Sequence, residues 1–280
     1  MKALAVSILA IVAIAGCAKK HQPGPTTMRA DEGQTAFASA SEVRRGNVAK
    51  GRQSDAPMRL KLDVHLLTVP LGTISRNEEV WKRVNEQAVD VATYDLLIKN
   101  GVRVGEAPIA EYERFRQLIA EHPAQSQLAQ LVTAEAKDVD LEIRKEVPSQ
   151  TIWYLNGWSE LIGRTFDRCE NFLTLSYQPA PRKRGYVRIV LCPVVKETRK
   201  RLEWSTGGKE LEVAFTQPQR FYDVNLRADV PVDSFLIIAP SAEATWPGSI
   251  GNRFFVEDGP AEQMENVLLL VPRHVPSVME

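Results

Sequence analysis

Few residues in this chain have the type and spacing to do chemistry. The four histidines, His21, His65, His122 and His274, are widely separated, so no helical pair three or four residues apart is available to hold zinc. In Gly157-Trp158-Ser159-Glu160-Leu161 the serine has a glycine on one side only, which rules out the nucleophile elbow of a serine hydrolase. No Ser-x-x-Lys pair and no G-x-G-x-x-G occurs. The nearest phosphate-loop pattern, Gly157 to Thr165, lacks the lysine and places Gly163-Arg164-Thr165 one residue too far on. Asp138, Asp140, Glu142 and Arg144 alternate with Val139, Leu141 and Ile143, the pattern of a solvated strand face and not of a calcium loop. The expectation is a protein that is not an enzyme, with no catalytic residue, no metal and no cofactor.

Two other groups of residues could act by contact or by crosslinking. Cys169 and Cys192 flank a Pro-rich loop, and a hairpin centred between Ala180 and Pro181 sets them opposite each other, close enough for a disulfide in an antiparallel ladder. Buried free thiols are the alternative reading. Arg182-Lys183-Arg184 sits in the same loop, and Lys196, Arg199, Lys200 and Arg201 follow the next apolar run. Placed at one end of a sheet they would form a basic contact edge for an anionic polymer or headgroups; otherwise they are solvated hairpin charges.

The third cysteine, Cys17, has a different setting. Met1-Lys2 gives a short positive start, and Ala3 to Gly16 is aliphatic apart from Ser7 and Gly16. That run is shorter than the roughly 20 residues of a membrane-spanning helix and has the length of a signal-peptide core. It ends in Ile14-Ala15-Gly16-Cys17, which resembles the lipobox of bacterial lipoproteins. The resemblance implies cleavage after residue 16 and acylation of Cys17, so that more than one acyl chain provides stable attachment. It also implies a cell-envelope location facing the periplasm. Ala18, where aspartate would favour inner-membrane retention, points to the outer membrane by analogy with Gram-negative sorting. An exported protein is a poor nucleic-acid binder, and the equal count of 35 basic and 35 acidic residues agrees.

Residues 17–57 read as the lipidated cysteine and a flexible tether. Ala18 to Pro57 contains no Leu and no Ile, and carries seven basic against four acidic side chains. Such a segment buries too little apolar surface to offset its ordering entropy, and as a coil it reaches roughly 35 Å.

Two modules come next, giving an α+β fold class: a small mixed α/β module over 58–125, then a larger antiparallel β-rich module over 126–280. Leu60, Leu62, Val64 and Leu66 alternate with Lys61, Asp63 and His65, predicting a half-buried strand. Ser75-Arg76-Asn77-Glu78 predicts a capping box. Val91 to Lys99 predicts a helix closed by Asn100-Gly101, and Val102 to Gly105 a short strand. Pro108 opens a further helix with Ile109, Tyr112, Phe115, Leu118 and Ile119. Val69-Pro70-Leu71-Gly72-Thr73-Ile74-Ser75, Trp81, Leu96 and Asn100-Gly101-Val102-Arg103-Val104-Gly105 together resemble a domain of uncharacterised planctomycete-type envelope proteins, which implies no particular activity.

In the second module, strands are predicted at Thr133–Val147, Thr151–Leu155, Phe172–Tyr177, Tyr186–Val195, Arg201–Trp204 and Leu211–Phe215. Others are predicted at Tyr222–Leu226, Phe235–Ala239, Arg253–Val256 and Asn266–Val271, with hairpin turns at Asn156-Gly157 and Gly207-Gly208. The strand at Ser234 to Ala239, the loop at Gly248 to Gly251 and Glu265-Asn266-Val267-Leu268-Leu269-Leu270-Val271-Pro272-Arg273 look like the close of a secretin core, although the long amphipathic hairpins of that family are not visible. The functional expectation is a lipid-anchored envelope protein acting as a structural or assembly module, with the membrane and an envelope protein as partners. The alternatives are a periplasmic binding module for a small molecule or glycan, and a secretin-like component.

Overall fold

A computed structural model describes residues 59–121, 126–133, 138–204, 210–242, 244 and 246–275. The signal segment, Cys17, the tether, His21, His122 and the Gly207-Gly208 turn lie outside the described residues.

The chain is built mostly from antiparallel β-sheet. Strand β1 (Arg59–Pro70) leads to a short helix α1 (Glu78–Trp81), helix α2 (Val91–Lys99), strand β2 (Val102–Pro108) and helix α3 (Tyr112–Glu121). Strands β3 (Ser126–Thr133), β4 (Val139–Leu155), β5 (Leu161–Pro179), β6 (Tyr186–Trp204) and β7 (Glu210–Arg220) come after them. The chain then forms β8 (Leu226–Pro231), β9 (Ser234–Pro240), helix α4 (Ile250–Phe255), β10 (Val256–Asp258) and β11 (Gln263–Val275). One sheet has the order β2-β9-β11-β1-β3 with β10 beside β11; the other has the order β4-β5-β6-β7 with β8 beside β6.

The strands do not divide at residue 125 as the sequence pattern predicts. β1 pairs with β11 from Leu60↔His274 to Pro70↔Met264, and β2 pairs with β9 from Val102↔Pro240 to Pro108↔Ser234. The first and last segments of the folded region are therefore neighbours in one sheet. The physical reason is burial on both faces. Leu236, Ile238, Leu268 and Leu270 point into the core shared with the second sheet. Phe235, Ile237, Ala239, Val267, Leu269 and Val271 alternate onto a second core under Trp81 and Phe115. No segment of 58–125 could cover both faces alone.

The same geometry alters the reading of β1. Its Lys61, Asp63, His65 face is not a solvent face. Asp63 is only 5% exposed, with Arg273 at 3.0 Å and Lys61 at 3.3 Å. His65 is half-buried, and its Nε2 shares a 2.6 Å hydrogen bond with the Tyr112 hydroxyl. The capping box is not formed either. Asn77 caps α1 by accepting from the Glu79 N–H, and the Ser75 N–H donates instead to the buried Glu265 carboxylate at 3.0 Å. The α2 helix ends as expected, with Gly101 in the left-handed region at φ +83°.

Candidate functional site: two aromatic hairpin arms

The second sheet is continuous at its centre and splits at one end. β5 pairs with β6 only from Cys169↔Glu197 to Pro179↔Val187. Beyond that point Leu161 to Asp167 pairs with β4 alone, and Thr198 to Trp204 pairs with β7 alone. The parting coincides with backbone irregularities. Arg168 and Glu146, both non-glycine, have φ of +47°, and the β4–β5 register shifts on either side of Arg144. Bulges of this kind bend a strand and re-aim the residues beyond it. The result is two hairpin arms that leave the same end of the sheet.

The β4–β5 arm curls over the core. On its inner face Ile152, Tyr154 and Phe166 are buried, and Tyr154 meets Phe221 edge to face at 5.2 Å. Trp153 lies on the outer face against Gly163, where an added Cβ would fall 2.4 Å from its ring, and its Cδ1 rests over Gly248. The Trp153 backbone N–H donates to the Gly248 carbonyl at 2.8 Å. Small residues on two sides thus make a seat that holds the indole flat while part of it faces water. At the tip, Trp158 is 86% exposed.

That tip is an ordered mount. The N–H groups of Trp158 and Glu160 both donate to Asn156 Oδ1 at 2.9 Å, and Asn156 Nδ2 donates to Glu160 Oε2 at 2.9 Å. Behind it, the buried Asn100 donates from Nδ2 to the Leu155 carbonyl and accepts from the Leu155 N–H, at 2.9 and 2.8 Å. The residue that ends α2 therefore also ties the arm to the body of the protein.

The β6–β7 arm carries Leu202 and Trp204 on one face, the latter 72% exposed. A hydrogen bond from Arg164 links the β4–β5 arm to Gln219 of β7, just below the parting. Large apolar side chains held exposed are costly to keep in water, and groups of them mark sites of contact.

The residues singled out by type and spacing have other places. Cys169 and Cys192 are free and buried. Register sets Cys169 opposite Glu197 and Cys192 opposite Thr174, because the β5–β6 hairpin is centred near Lys183 and not at Ala180. Cys169 faces the shared core while Cys192 packs with Phe172 and Val194 on the other side of the sheet. The expected disulfide is therefore not formed.

Nor is the basic edge assembled. Arg182, Lys183 and Arg184 occupy the β5–β6 turn, at the end of the sheet away from the arms, with Lys183 at 3.7 Å from Asp229. The later cluster runs along β6 towards the arm tip. There Lys196 pairs with Asp140, Arg199 with Glu197, Lys200 with Glu212 and Arg201 with Glu203.

Two perturbed groups, Tyr94 and Arg103, line a cleft of about 360 Å³ beside α2. Burial would raise the Glu86 carboxyl, yet Arg103 at 2.7 and 2.8 Å and the Tyr94 hydroxyl hold it below its usual range. Burial and Glu86 push Tyr94 up to about 12. With Arg103 stacked 4.1 Å over Trp81, this group clasps the segment after α1 to β2. A cleft of about 580 Å³ opens between Leu66 of β1 and Leu141 of β4, with no Trp or Tyr in its lining. No group of three or more His, Cys, Asp or Glu side chains among the described residues could hold a metal.

The aromatic arms escape a reading by motif, although Trp158 directly after the Asn156-Gly157 turn is the available signal: an apolar ring at a hairpin tip is exposed by position. No family model, no curated protein and no solved structure matches this chain.

Proposed function

We propose that this chain is a lipid-anchored envelope protein, attached through Cys17, that works by contact: the two aromatic arms dock an envelope protein partner. The observation that carries the reading is Trp158 standing exposed on a tip fixed by Asn156 and Asn100. A rigid aromatic anchor loses little conformational entropy on binding. Helices α1 to α3 collect beside the first sheet, which supports an α+β description of the fold. The resemblances to planctomycete-type envelope proteins and to a secretin core belong to this proposal. The core residues in those runs also have local structural roles, with Glu265 holding a loop and Pro272 in register with Leu62. The 580 Å³ cleft between the sheets favours a second reading, a binding module for a small molecule.

The test is chemical crosslinking in intact cells that make the full chain, followed by identification of the molecule joined to it. A discrete partner adduct that disappears in Trp158→Ser and weakens in Gly163→Ala, which displaces Trp153, supports docking through the arm. Because Trp158 is so exposed, Trp158→Ser should unfold within about 0.5 kcal/mol of the parent. An unchanged adduct in both variants, or no adduct at all, rejects it. Cys17→Ser should move the chain from the membrane fraction to the soluble fraction; retention on membranes rejects the anchor.

A further inference from the structure

A cleft of about 280 Å³ lies where the loop after β1, helix α4 and strand β10 meet, and three arginines reach it: Arg76, Arg144 and Arg253. Elsewhere in the described residues the partly buried guanidinium groups of Arg103 and Arg188 are matched with carboxylates, Glu86 and Asp229, whereas unpaired arginines such as Arg114, Arg168 and Arg182 stand exposed to water. Among the described residues, none of the three cleft arginines has a carboxylate oxygen within 4.0 Å. The Arg253 Nε is buried without a hydrogen-bond partner. A buried guanidinium N–H with no acceptor is costly and is satisfied by an incoming anion.

The frame behind Arg253 is built. Gly251 lies so close to Gly101 that an added Cβ would be 1.9 Å from the Gly101 oxygen, and its N–H donates to the Asn100 carbonyl at 2.8 Å. The α4 helix is thereby fixed against the end of α2. At its other end the Arg253 carbonyl accepts from Asn171 Nδ2 at 2.9 Å and from Arg144 Nη1 at 3.5 Å. Asn171 is itself fully buried and accepts from Gln150 Nε2 at 2.6 Å. These bonds fix the Arg253 backbone and bring the Arg144 guanidinium against its carbonyl, so both residues reach the same cleft. Glu257 and Asp258 also line the cleft, so three positive charges face two negative ones.

We propose that this cleft binds a singly charged oxyanion group, a phosphodiester or a carboxylate, through Arg253 and Arg144 with Arg76 at the rim. The guanidinium fork matches such oxygens, and the small positive excess selects a monoanion over a dianion. This site is independent of the aromatic arms.

The test is thermal unfolding of the full chain in detergent, titrated with dimethyl phosphate and, separately, acetate, each against chloride at equal ionic strength. Binding to the folded state raises the melting temperature saturably. The expected result is such a rise with at least one of the two, and the stronger probe identifies the chemical class. Arg253→Gln and Arg144→Gln should each weaken it about tenfold or more, while Arg201→Gln should leave it unchanged. Arg76→Gln, altering an exposed side chain, keeps the test decisive if Arg253→Gln does not fold. No saturable rise in the parent chain, an equal rise in all the cleft variants, or tighter binding of sulfate than of either monoanion would overturn the proposal.

Discussion

The substitution Glu265→Gln isolates the contact that holds the loop following β1. Glu265 is fully buried, and its carboxylate is encircled by backbone donors. The N–H groups of Ile74 and Ser75 donate to Oε1 at 2.6 and 3.0 Å, and that of Gly72 donates to Oε2 at 3.0 Å. The glutamine amide would keep one carbonyl oxygen for the first pair but would turn an NH₂ towards Gly72, setting donor against donor. An orphaned buried N–H costs about 1–3 kcal/mol, and loss of charge assistance at the other two bonds adds about 1 kcal/mol. The expected destabilisation is therefore about 2–4 kcal/mol, a large share of a typical total of roughly 5–15 kcal/mol. Urea unfolding followed by tryptophan fluorescence measures it. Trp81 is a buried reporter whose Nε1 donates to the Ile74 carbonyl at 2.8 Å in the same loop. A shift below about 1 kcal/mol, with the slope of the transition unchanged, would refute the carboxylate's role as the loop's anchor.

Two further outcomes depend on buried groups. Burial holds His65 below its ordinary 6.5, opposed by Asp63 and reinforced by Arg273. The unfolded chain therefore takes up a proton first as pH falls, and stability should decline from about pH 6.5 downwards until the folded histidine also titrates; urea midpoints at about pH 7.5 and about pH 5.5 should differ more in the parent than in His65→Gln, and equal differences would reject the assignment. Burial raises both the Cys169 and Cys192 thiols, so in a Cys17→Ser chain neither should react with a thiol reagent while folded. Both should react in denaturant without reductant, and recovery of fewer than two thiols would show that a disulfide forms.

The parts of the fold legible in the sequence are those that local physics determines. Val91–Lys99 is a helix with a left-handed glycine after it, and Arg59–Pro70, Ser234–Pro240 and Gln263–Val275 are strands close to where their aliphatic runs place them. Short apolar runs are ambiguous, as their length predicts. Arg253–Val256 reads as a strand but falls across the end of α4, whose position is set by Gly251 against the distant Gly101. Tyr222–Leu226 begins as a helical turn before β8. Two of the misreadings share one cause. β4 and β6 are each continuous, while the sequence pattern suggests a break at Pro148–Gln150 and another at Lys196–Lys200. Both polar stretches lie where the sheet leaves the core for its arms, so ladder hydrogen bonds and not alternating burial carry the strand.

The same reasoning explains why a contact surface is harder to see than a catalytic one. A catalytic motif announces itself by residue type and spacing, whereas Trp153, Trp158, Leu202 and Trp204 carry the hydrophobicity of core residues and are set apart only by where the chain puts them. That placement depends on Arg168 at φ +47°, on the clamp between Asn100 and Leu155, and on Gly163 and Gly248 leaving room for a flat indole. Each is a long-range or conformational fact. The arginine cleft obeys the same rule. Its three arginines come from a loop after β1, the first half of β4 and the last turn of α4, and the buried pair of Gln150 and Asn171 ties the Arg253 backbone to the second sheet. A side chain that the fold works to hold exposed, or to hold buried and unpaired, stands where function outweighs the local preference of its residue type.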